Sequence, residues 1–132
     1  MKNILPILSI MFLACSSDKD INDVEIDYEI IGQWQLDATK ISPGGIVDWS
    51  SVTNGEIYDF KSNGTFELSN TKQCSEVIIG TFSIKDDQLS FQYLCDSEQR
   101  NPSYNMWFED GKLTLGFIGC IEECSYRYRP LN

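Results

Sequence analysis

The sequence predicts an all-β fold, an eight-stranded up-and-down antiparallel β-barrel. Three observations predict it. From residue 30 onward, apolar and polar residues alternate in short runs, the period-two signature of half-buried strands. Asn63-Gly64 and Asp110-Gly111 join successive runs with the residue pairs that tight hairpins favour. No stretch carries a convincing helical period, and no segment repeats. A flat meander of this length would leave two open edges that invite aggregation, and closing it removes them.

The first expected strand, 30–41, places Trp34, Leu36 and Ala38 on one face and Gln33, Gln35 and Asp37 on the other. Ser42-Pro43-Gly44-Gly45 ends it with strong breakers. The connection 46–54 carries Val47, Trp49 and Val52, with room for a short strand, and Trp49 is a candidate lid. The second strand, 56–61, turns Tyr58 and Phe60 to one side, and the third, 65–70, turns Phe66 and Leu68 inward. Between them, Asn-Gly supplies positive φ.

A fourth strand, 76–84, is turned by Lys85-Asp86-Asp87 into a fifth, 88–95, with Leu89, Phe91 and Tyr93 inward. Residues 96–102 read as a polar loop. The sixth strand, 103–109, sets Tyr104, Met106 and Phe108 against Trp107, and the seventh, 112–119, aligns Leu113, Leu115 and Phe117. In the eighth, 124–129, Tyr126 and Tyr128 alternate with Arg127 and Arg129, and Pro130 stops the run.

Tracing this order up and down sorts the connections by length. The three tight turns fall at one end, and the four longer links fall at the other. That is the asymmetry of a binding barrel, closed below and open above. Cys74, Cys95, Cys120 and Cys124 all fall at the open end. Four cysteines allow three pairings, and the trace favours Cys74 with Cys95 and Cys120 with Cys124. Zinc is the rival use of four cysteines, but the spacing lacks the Cys-x-x-Cys knuckle of such sites, so no metal is expected.

Ahead of the barrel, Lys2 and the apolar run 4–13 have the pattern of a signal peptide, and the run is too short to span a bilayer. Phe12-Leu13-Ala14-Cys15 resembles a bacterial lipobox, with Phe12 standing where Leu is more usual. By that resemblance, 1–14 is removed and Cys15 becomes the lipidated first residue. The segment 15–29 is acidic and reads as an extended tether. The domain is then 30–132.

The net charge is −10, with 20 acidic against 10 basic residues. Such a surface repels phosphate backbones, which excludes nucleic acid and leaves the lipid anchor as the contact with membrane. The chain has no histidine, so the usual general base and the commonest metal ligand are missing. Glu122 and Glu123 read as solvated charge on a loop. No nucleophile–base pair and no phosphate loop position a reaction, so an enzyme and a cofactor are not expected.

Gly32-Gln33-Trp34 at the first strand, the eight meandering strands and an arginine on the last strand resemble the lipocalin superfamily. Joined to a lipobox, they look like the lipocalin-like lipoproteins of Bacteroidetes. The resemblance implies that Gly32 and Trp34 mark the closed barrel end and that Arg127 or Arg129 lies over the indole. It also implies an outer-membrane lipoprotein, and the acidic run after Cys15 resembles surface-export signals of that phylum; a monomer is expected. The expected role is binding a small hydrophobic ligand inside the barrel, against Tyr58, Phe60, Phe66, Phe91, Tyr93, Met106, Phe108 and Phe117. The alternative is an interaction scaffold, its interior filled by the same large side chains.

Overall fold

Period-two alternation produces strands throughout the computed structural model, which describes residues 29–131. The strands are β1 (Gly32–Ser42), β2 (Ser50–Ser51), β3 (Ile57–Phe60), β4 (Thr65–Ser69) and β5 (Ile78–Lys85). They continue as β6 (Gln88–Cys95), β7 (Glu98–Arg100), β8 (Ser103–Glu109), β9 (Lys112–Phe117) and β10 (Glu123–Leu131). The signal peptide, Cys15 and all of the tether except Glu29 lie outside the described residues.

All neighbouring strands pair antiparallel, and β10 returns to pair with β1. Eight strands form the closed wall. The short β2 extends the edge of β1 beyond β3, and β7 pairs with the upper half of β6. The tight turns do share one end. Asp86 and Asp87 both take positive φ, as do Asp110 and Gly111, which is the geometry of a two-residue hairpin that matches strand twist. At the third tight turn Gly64 alone takes positive φ, not Asn63.

Three local details differ from the alternation read in the sequence. In β1 the register with β10 slips between Leu36 and Ala38, so Asp37 is the extra residue of a β-bulge. Leu36 faces Tyr128 and the core, but Ala38 pairs with Arg127, so it leaves the face of Trp34. Ala38 is buried on the outside of the wall, beside Ser51 of β2. The expected loop 96–102 contains β7, because Asp96 and Ser97 take positive φ and turn the chain back on β6. Pro130 does not end β10: it pairs with Trp34, where the facing strand β9 has already stopped at Tyr128. One side of β10 is open there, so a missing N–H is tolerated.

The barrel below its midpoint is filled. Tyr58, Phe60, Phe66 and Phe91 stack or meet edge-on, with centroids 4.8 Å apart for Phe66–Phe91 and 5.3 Å for Tyr58–Phe91. Leu68, Ile78, Leu89, Met106, Leu113 and Leu115 complete the core. The lower end is stoppered by Ile30, which is 0% exposed and whose carbonyl accepts the Trp34 indole N–H at 2.8 Å. Gly32 lets the chain turn from this stopper into β1, at φ +124°, where a side chain would be strained.

Candidate ligand site at the barrel mouth

Above the aromatic core the wall strands splay, and the ladder between β6 and β8 spans only Gln88–Ser90. The opening holds a cavity of about 520 Å³. Its walls are Tyr93 from β6, Tyr104 from β8, Phe117 from β9, and Tyr126 and Tyr128 from β10. Alternation alone brings Tyr126 and Tyr128 to the same side of their strand. Glu56, just before β3, supplies a carboxylate, and Gln73, Arg100, Asn101 and Pro102 form the rim.

Hydrogen bonds order this cup. The Tyr128 hydroxyl donates to one Glu56 oxygen at 3.1 Å, and the Gln73 amide donates to the other at 3.3 Å. Tyr104 lies between Phe117 and Tyr126, with centroids 5.5 Å and 6.5 Å away. Burial pushes the Tyr58, Tyr104 and Tyr128 hydroxyls well above the usual phenol range, and the nearby Glu56 charge adds to it. Tyr93 and Tyr126 are raised in the same sense, again by burial first. The phenols of the cup are therefore neutral at neutral pH.

Of the interior residues singled out from sequence, Tyr93 and Phe117 line this cavity. Tyr58, Phe60, Phe66, Phe91 and Met106 do not. They are buried against one another below it, because eight strands enclose little more than their own side chains. Phe108 packs on Trp34 near the stopper, 5.9 Å between centroids. Glu56, Gln73, Tyr104, Tyr126 and Tyr128 join the site instead. The inward alternation of the three tyrosines was a readable signal, but nothing in the local sequence sets Glu56 apart.

Two disulfides brace the mouth. Cys74 bonds to Cys95 and Cys120 to Cys124. Beside the first, Ser75 donates its N–H and its hydroxyl to Asp96, which lowers the Asp96 carboxyl pKa.

Trp49 is not at the mouth. The link from β1 folds down the outside of the wall, held by the pairing of β2 with β1, and sets the indole against the outer face. There the Arg127 guanidinium lies 5.0 Å and the Lys40 ammonium 5.8 Å from the Trp49 ring. The arginine stacking implied for Trp34 is thus made with Trp49. Arg127 projects outward, bonded through Nε to Asp37 at 3.2 Å, while Arg129 donates to Gln35 at 2.6 Å. Lys112 completes the outer cluster, 2.7 Å from the other Asp37 oxygen.

The lipocalin-like domain family model matches residues 30–115, from the stopper into β9. No curated protein matches the chain. Among solved structures, a lipocalin-like protein from Bacteroides uniformis is similar at 18% identity and a TM-score of 0.58. The likeness covers 78% of this chain and 99% of that one. An uncharacterised protein from Bacteroides eggerthii is similar at 20% identity and a TM-score of 0.52, covering 76% of this chain and 98% of that one. At these identities the likeness speaks for the fold, and with the family match it places the closed barrel, its stopper and its open mouth in one frame: the chain belongs to the lipocalin-like domain family.

Proposed function

We propose that this protein is a lipid-anchored, exported lipocalin-like binder, non-enzymatic, that takes a small ligand with an apolar body at the mouth of its barrel. The cavity of about 520 Å³ walled by four tyrosines and Phe117 carries the reading. It is a concave surface that sets aromatic rings among converging polar groups, a make-up suited to a small molecule. The lower barrel offers no such space, since its rings pack on each other, so the ligand seats at the rim and not deep inside. Anchoring rests on the lipobox-like 12–15 and on Cys15. The barrel then hangs from the outer membrane of the cell envelope on an acidic tether, as a monomer, its face of the membrane set by the export signal.

The scaffold alternative draws on the filled core and on Trp107, which is 41% exposed on the outer wall. One measurement separates the two: native mass spectrometry of the protein purified from its own host without reducing agent. The binding reading expects an adduct that leaves on denaturation. The anchor expects a chain starting at Cys15 with diacylglycerol mass on it. A bare protein that also takes up no added hydrophobic small molecules would leave the scaffold ahead.

A further inference from the structure

Resting on the mouth as the binding site, we infer that the ligand is a small organic cation, an ammonium group on an apolar body about the size of one ring. Two charged side chains line the cup, Glu56 and Arg100. Their situations differ. Arg100 stands exposed on the β7 arm, and its guanidinium is held 2.9 Å from Glu98. Glu56 is half-buried at the top of β3 and has no cation against it among the described residues.

The donors that reach Glu56 are neutral, one phenol and one amide. An ionised carboxylate has about four lone-pair sites, so two hydrogen bonds leave room for an ammonium N–H. The Glu56 charge bears on Tyr104, Tyr126 and Tyr128, so it faces most of the ring wall, while Tyr93, beside the β7 arm, feels Arg100 more than Glu56. The walls suit the same guest. Aromatic faces attract a cation, and a cation flanked by rings and a carboxylate gains from both. An anion would meet the reverse, with Glu56 in the wall and the Arg100 guanidinium already held by Glu98. The protein's net charge of −10 also draws cations toward the mouth and repels anions.

Three probes of matched shape isolate the charge: 2-phenylethylammonium, 2-phenylethanol and 3-phenylpropanoate. Isothermal titration of the purified protein should show the ammonium binding at least about tenfold tighter than the alcohol or the carboxylate, as expected of a charge-assisted hydrogen bond. Glu56→Gln keeps an acceptor for Tyr128 and removes the charge. It should cost the ammonium about tenfold and the alcohol clearly less. Tyr126→Leu, which removes a ring face without touching Glu56, should weaken the ammonium several-fold, whereas Tyr126→Phe should not. Equal binding of ammonium and alcohol, or an ammonium affinity unmoved by Glu56→Gln, would overturn the cation inference while leaving the mouth a ligand site. If none of the probes bind, the inference fails too, and only a native adduct would then keep the binder reading.

Discussion

Asp37 shows how one residue redirects a strand. As the bulged residue of β1 it turns its carboxylate outward, where Lys112 and Arg127 both bond to it. Burial raises its carboxyl pKa, but the two hydrogen bonds and the two positive charges outweigh that and hold it below the usual carboxylate range. A folded pKa below the unfolded one means stability present above the unfolded value, about 3.9, and lost as pH falls through the folded one. Asp37→Asn should therefore cost about 1–3 kcal/mol at neutral pH, as for hydrogen bonds to charged groups. Urea unfolding at a series of pH values should show the gap to the native protein closing below about pH 4.

At the scale of elements, the mouth depends on links that have little regular structure of their own. The connection between β4 and β5 carries Gln73 into the cup, and Cys74 ties it to the end of β6. That bond spans a sequence separation of 21, and Cys120–Cys124 a separation of 4. In the chain-entropy model the longer loop contributes more, about 3 kcal/mol. Replacing Cys74 and Cys95 together by serine should lower the unfolding free energy by about that amount, and replacing Cys120 and Cys124 by less. Denaturant midpoints without reductant measure both. An equal loss from the two pairs would show that native-state packing, not loop closure, sets their worth.

The whole molecule is a wall around a column of rings, and its tyrosines couple that column to pH. Tyr58, Tyr104 and Tyr128 have hydroxyl pKa values raised chiefly by burial. A folded value above the unfolded one means stability present below the unfolded pKa, about 10 for tyrosine, and lost as pH rises through the folded one. The barrel should therefore weaken progressively above about pH 10. An ultraviolet titration of the 6 tyrosines should resolve an early group and a late one. Tyr58 and Tyr128 should ionise together with the loss of circular dichroism, and a single smooth titration with the fold intact would contradict this.

Alternation and turn chemistry are local, and they were enough to determine the eight wall strands, their up-and-down order, and the closed and open ends. Each depends on a few neighbouring residues whose side chains must choose a face or a sign of φ. The family is legible for the same reason, since Gly32, Trp34 and the meander are read along the chain. What only the tertiary structure decided lies where distant segments meet. The bulge at Asp37 follows from fitting β1 to β10 across the closure, and it turns Ala38 to the outer wall, where β2 pairs and Trp49 meets Arg127. How far the rings fill the barrel is a question of volume that no periodicity reports, and it lifts the candidate site from the interior to the mouth. Glu56 joins the cup because Tyr128, 72 positions along the chain, comes round to bond it.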